Sequence, residues 1–403
     1  MASSAEQMRA WQGPALLSYG YRPFFLFASI WAVFSLFIWI FLFSGKDVLA
    51  IGIDPFSWHA HSFLFGYLWA VIAGFLMTAV PNWTGRLPIV GWPLLGLVSI
   101  WLIGRIAMVL SSDLPATVTV GLDLLFPLLF TIAIGREIIY GKNWRNLKVL
   151  ILLVLLFCAN LIFDCEAFNG VYAADGYGAR LALAIAVFLI AIIGGRIVPS
   201  FTRNWLAKRG NTKLPAPHGR VDQTIMVFTA ICLVLWILFP DTKLTALLCG
   251  LCGIANLYRL QRWRGLATLK EPLVFVLHVG FLFIPLGFIA LALGTFGIIP
   301  GGRAPVQHLW MAGGIGMMTM AVMTRASLGH AGRPLTVSWP VVLVYLALFL
   351  SVWLRLFAGI ANNNLPTLHL AGTLWILAFL GFVVLYWNVL TKPRKPRKPR
   401  VPN

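Results

Sequence analysis

An all-α, polytopic integral membrane fold of about twelve transmembrane helices follows from three features of the sequence. Of the 403 residues, 60% are hydrophobic and only 11% charged. With a mean hydropathy of +0.87, a soluble domain could not cover its surface with polar groups. The apolar residues come in runs of about 20, long enough to cross roughly 30 Å of hydrocarbon at 1.5 Å per residue. The basic residues gather in alternate connections between those runs. In lipid every backbone amide needs an internal partner, so such runs must be helices.

Along the chain, residues 1–21 form a short cytoplasmic N-terminal segment. Met1–Arg9 lacks a basic n-region, a short apolar stretch and a cleavage site, so no signal peptide is expected. The transmembrane domain covers 22–390, with spans predicted at 23–43, 58–80, 91–111, 115–138, 147–166, 179–199, 222–239, 243–260, 271–294, 304–323, 339–358 and 367–390. The clearest apolar runs are Phe24–Phe43, Val149–Phe163, Leu181–Ile193, Pro340–Trp353 and Leu374–Leu390. Numbering the connections alternately, one set together with both termini holds 24 of the 31 Lys and Arg residues, whereas the opposite set holds Lys46, Lys243 and Arg303 alone. This asymmetry places the first set and both termini in the cytoplasm and supports an even number of spans. Residues 391–403 are a basic cytoplasmic tail whose KPRKPRKPR text, Lys392 to Arg400, cannot form a helix. The formal charge of +19 is therefore topology and attraction to lipid headgroups, and it does not imply a nucleic-acid partner. Five cysteines (158, 165, 232, 249 and 252) lie in or at the ends of spans, where Cys is a small apolar filler. Cys249 and Cys252 have CxxC spacing inside an apolar helix, away from any redox loop.

Spans 2, 6 and 10 end at the predicted inner side in related text: Gly74 through Pro81 to Arg86, Gly195 through Pro199 to Arg203, and Met318 to Arg325. The period of four helices suggests three four-helix repeats.

The residues that need a reason are the ionisable ones inside the membrane, which are expensive there and usually functional. His59 and His61 open span 2, His308 opens span 10 and His369 opens span 12, so four histidines share the predicted outer level. His278 lies deeper, toward the inner side, and His330 follows span 10. Imidazole ligates haem iron and copper; interfacial anchoring is the structural alternative for each histidine. Residues two apart on a helix point about 200° apart, so His59 and His61 face different surroundings. Five methionines crowd span 10 among Gly313, Gly314 and Gly316, either as soft copper donors or, as the simpler reading, as filler along a packing seam. Arg105 and Arg355 sit in the outer thirds of spans 3 and 11. Either Arg105 pairs with Asp123 at similar depth, or the two arginines hold the propionates of a haem.

At these residues the chain resembles the NnrS family of bacterial inner-membrane proteins, associated with nitric oxide and denitrification. The matching text is YRPFFLF from Tyr21, WHAH from Trp58, AGFL from Ala73, AVPNWTGR from Ala79, RIVPSFTRNW from Arg196, and AVMTRASLGH from Ala321 followed by GRP ending at Pro334. The family is described as binding haem and copper, so the resemblance implies both cofactors. It also implies nitric oxide or a related small molecule as ligand, and an electron donor that the sequence does not identify. Ser62 stands where a glutamate is expected after the WHAH text. No CxxCH attachment motif is present, so the haem would be non-covalent and b-type. On depth and chemistry the expected haem ligands are His59 or His61 together with His308. Arg105 and Arg355 are the propionate partners, and the remaining member of the 59/61 pair serves copper or orients a ligand, with His369 or His278. The alternatives are a twelve-span secondary transporter without a metal cofactor and an accessory protein with no chemistry of its own.

Overall fold

The structure, a computed structural model, describes residues 11–46, 48–86, 88–361 and 364–393, and among them there is no strand. Twelve helical runs fall on the twelve predicted spans. They are α1 Tyr21–Phe43, α2 Pro55–Thr84, α3 Trp92–Val109, α4 Ala116–Tyr140, α5 Leu147–Phe168, α6 Tyr177–Ala207, α7 Arg220–Leu238, α8 Lys243–Gln261, α9 Pro272–Thr295, α10 303–330, α11 Trp339–Ile360 and α12 Leu365–Thr391. Of the predicted basic arm only Lys392 and Pro393 are described; residues 394–403 lie outside the described residues, as do residues 1–10. Eleven of the runs are long and apolar enough to cross a membrane. The exception is α10, which joins an α-helix at Arg303–His308, a π-helix at Leu309–Met317 and an α-helix at Met318–His330. Its glycines and polar residues lower its hydropathy. Other helices cover it, so it needs no apolar coat of its own.

Burial sorts the helices into a centre and a rim. In their most apolar windows 78% of residues are buried in α2, 72% in α9 and 61% in α6, against 33% in α7 and α12. Along the chain each helix packs on the next from α3 to α9, and α12 returns to pack on α1. Arg22 at the start of α1 fastens that closure by donating to the carbonyls of Leu390 (3.0 Å) and Lys392 (2.7 Å). At the predicted outer end, Arg303 pairs with Asp175 and, at 3.2 Å, with Asp241, tying α10 to two loops. At the predicted inner end, Asp222 receives Arg259 and Arg262, both at 3.1 Å.

Several boundaries differ from the predicted ones, the furthest at the inner ends of α2, α6 and α10, the last running on to His330. Helix α2 continues through Pro81 to Thr84, and α6 continues through Pro199 to Ala207. A proline removes one backbone donor, which a helix in a packed bundle tolerates. What stops α2 is Gly85, whose left-handed backbone (φ +69) lets its N–H reach Pro81 O at 3.0 Å. At their predicted outer ends, away from the related text, spans 2 and 10 share a second feature: each begins with a short α-helix ending in histidine, His61 or His308, and continues as a π-helix. Helix α6 has no such break. The glycines of α10 are a packing seam, because a Cβ at Gly313 would strike Phe283 and one at Gly316 would come within 3.0 Å of Trp375. The cysteines are free. Cys249 and Cys252 are buried beside Cys232, as expected of filler.

Candidate functional site

The two histidines of the WHAH text are aimed by the way α2 begins. Asp54 caps the helix by accepting from Ser57 N at 2.9 Å, and Pro55 takes the first helical position. Ala174 N donates to Ser57 Oγ at 3.0 Å, which fixes the first turn against the 169–176 loop. The rotation of about 200° between residues two apart on a helix then sends the imidazoles to different neighbours. His59 stacks on Trp39 of α1, with ring centroids 4.4 Å apart and planes 8° from parallel. His61 turns to α4 and α5.

His61 enters a fully buried polar cluster. Its Nε2 lies 3.1 Å from Asp123 Oδ2 and 3.3 Å from Asp164 Oδ1. Asn160 Nδ2 donates to Asp123 Oδ2 (2.9 Å) and to Asp164 Oδ2 (3.1 Å), bridging the two carboxylates. Arg105 of α3 pairs with Asp123 Oδ1, while its Nε and Nη1 have no hydrogen-bond partner among the described residues. Phe65 and Phe163 close on the imidazole at 5.3 and 5.6 Å. Two carboxylates face one guanidinium here, which leaves one negative charge for a proton or a bound cation to balance. Arg105 thus sits with Asp123. Asp164 and Asn160 had no part in the sequence reading. Their signal was an Asn and an Asp four apart, on one face of an otherwise apolar helix.

On the other side of α2, His59, His308 and Arg355 are electrostatic neighbours. His308 Nδ1 lies 2.6 Å from Ala304 O. A carbonyl can only accept, so Nδ1 carries the hydrogen and neutral His308 keeps its lone pair on Nε2. Neither ring nitrogen of His59 has a hydrogen-bond partner among the described residues. Arg355 makes no ion pair there, and its buried Nη1 is unpartnered. An imidazole whose Nδ1–H is tied to backbone and whose Nε2 is free is arranged as metal-ligating histidines are. A second imidazole and an uncompensated guanidinium beside it suit an iron porphyrin with its anionic side groups.

The remaining histidines lie elsewhere. His369 contacts Ser44 Oγ at 3.4 Å, at the α1–α12 end. His278 contacts Thr202 Oγ1 at 2.8 Å beside Trp263, near the 263–268 loop at the predicted inner end. His330 packs against Tyr19 and Tyr21. Among the described residues no second imidazole stands beside His61, so its donor set, one nitrogen and two carboxylates, does not match copper's preference for imidazole and sulfur. Ser62 begins the π-helix. Its carbonyl accepts from Trp31 Nε1 at 2.9 Å, and its buried hydroxyl has no partner among the described residues.

No curated protein matches the chain. The sequence model of the family described as NnrS protein matches residues 15–394, nearly the whole length. Eleven helices among the described residues that are long and apolar enough to cross a membrane, polar chemistry held between them and a match over residues 15–394 lead to one assignment: the chain belongs to the NnrS family.

Proposed function

We propose that this chain is a nitric-oxide-response protein of the bacterial inner membrane that holds a non-covalent, b-type haem at the predicted outer end of the bundle. His308 and His59 are its imidazole ligands, and Arg355 is the counter-charge to a propionate. The observation that carries this reading is the free Nε2 of His308 beside an unbonded His59 and an unpartnered guanidinium. Haem would supply a redox-active iron, at which nitric oxide would bind in place of one of the two imidazoles. The protein's own residues do the rest: Ala304 O fixes the tautomer of His308, and Trp39 fixes the plane of His59. Any redox turnover needs an electron donor outside this chain. Both termini are cytoplasmic in this reading, on the strength of the Lys and Arg distribution. Copper, the second expected metal, has imidazole donors at the same pair, so metal analysis discriminates between the two there.

The test is the absorption spectrum of the protein purified from haem-replete cells. A Soret band is expected in the wild type and in His369→Ala, with loss of haem or a changed spin state in His308→Ala and His59→Ala. A wild-type protein without a chromophore would sink the reading and leave the transporter alternative.

A further inference from the structure

The cluster around His61 lies on the opposite face of α2 from the proposed haem ligands, and nothing in that proposal uses it. We propose that His61, Asp123 and Asp164 bind one divalent first-row cation of the manganese, iron(II) or zinc kind. The three donors come from three helices (α2, α4 and α5), and none has any exposure to solvent. Their donor atoms lie within 4.8 Å of one another. From His61 Nε2 the carboxylate oxygens are 3.1 and 3.3 Å away. In a tetrahedral site with bonds of about 2.0–2.1 Å, neighbouring ligand atoms are roughly 3.3 Å apart. The two spacings from His61 Nε2 are therefore already those of neighbouring ligands.

A second observation points at the same place. Asp164 Oδ1 is completely buried, is directed at His61 Nε2, and makes no hydrogen bond among the described residues. A carboxylate oxygen in that state calls for a positive charge, either a proton on His61 or a cation held between the two groups. The other oxygens are held: Asn160 Nδ2 bridges Asp123 Oδ2 and Asp164 Oδ2, and Arg105 takes Asp123 Oδ1. These outer partners orient the carboxylates as the supporting groups of metal sites do. Arg105 balances one carboxylate and leaves the second for the cation. A nitrogen with two carboxylate oxygens is a hard to borderline set, which sorts this site from copper. The cluster lies within about two turns of the predicted outer end, since Asp164 is four residues before the end of α5 and Asp123 is seven after the start of α4.

The experiment uses the full-length protein as isolated. Elemental analysis should find about one equivalent of manganese, iron beyond any haem, or zinc per chain. After chelation, Mn2+ added back and followed by electron paramagnetic resonance should bind at one site. Asp164→Asn, which keeps the shape and removes the ligand charge, should weaken Mn2+ binding at least tenfold. Asn160→Ala should weaken it about 10–100-fold as an outer partner. His308→Ala should leave it unchanged, so a missing Soret band and a missing Mn2+ site are separate failures. If Asp164→Asn does not fold, as judged by circular dichroism, Asn160→Ala carries the test. Wild-type protein that takes up no Mn2+ or Zn2+ at millimolar concentration, or a folded Asp164→Asn that binds like wild type, would overturn the assignment.

Discussion

A carboxylate sealed from water takes its partners from whatever the fold brings near, and Asp123 takes three: a guanidinium, an amide and an imidazole, from three helices. Removing its charge leaves Arg105 in the core without a counter-ion. Asp123→Asn should therefore cost about 3–5 kcal/mol of stability, read as a lowered unfolding midpoint in detergent. A compensating Arg105→Met in the same chain should recover part of the loss. His369, by contrast, touches Ser44 at the bundle's edge, and His369→Ala should shift stability by no more than about 0.5 kcal/mol. At this scale the sequence was legible wherever the argument needed one helix or one depth. The divergence of His59 from His61 followed from helical rotation, whereas depth left Arg105 between Asp123 and a propionate, and the structure gives it Asp123 in place of the propionate role. Asp164 was not legible in the same way, because which face of α5 meets α2 depends on how the bundle turns each helix. Depth had put His308 and Arg355 at one level with both His59 and His61, and packing selects His59 as their neighbour.

Helices α2 and α10 each widen into a π-helix directly after a histidine, and π segments of this kind cluster at functional sites. The extra residue rotates the downstream part of the helix by about 100° relative to a plain α-helix, so the π turn sets the azimuth of the histidine against the rest of the span. Deleting Phe63 should return Ser62–Tyr67 toward α-helix and turn His59 and His61 away from their partners. Loss of both the Soret band and the Mn2+ signal is the expected outcome, with helical content by circular dichroism retained. Composition cannot announce such a segment, since apolar text reads alike in α and π form, and that is why spans 2 and 10 looked continuous. Close approach between helices is a second property of this scale. Gly178, at the start of α6, lies against the backbone of Phe163 in α5, and a Cβ there would overlap main-chain atoms that cannot swing aside. Gly178→Ala should destabilise by about 1–3 kcal/mol and displace Asp164, one residue from the contact.

The whole molecule was the most legible of all, because the thickness of hydrocarbon and the placement of basic residues act on the entire chain. Twelve helical runs occupy the twelve predicted spans. The only one below the hydropathy of a membrane-crossing helix is the one its neighbours cover. Topology is tested by single cysteines in a chain whose own five are replaced by alanine. Positions 46 and 243 should react with an impermeant reagent from outside the cell, and positions 142, 208 and 264 only after the membrane is opened. Labelling of position 264 from outside would break the twelve-span arrangement.

The clasp of Arg22 on the carbonyls of Leu390 and Lys392 joins groups 368 and 370 residues apart. The ribosome releases α1 first and α12 last, so the ring stays open throughout synthesis and can seal only when the final helix has entered the bilayer. During that time a guanidinium buried in the finished protein waits among lipid headgroups. In pulse-labelled cells, resistance to protease should appear only after chain completion, in one late step, and Arg22→Ala copies should be inserted normally yet lag in acquiring it. Resistance that grows helix by helix would mean that the rim is stable before it is closed.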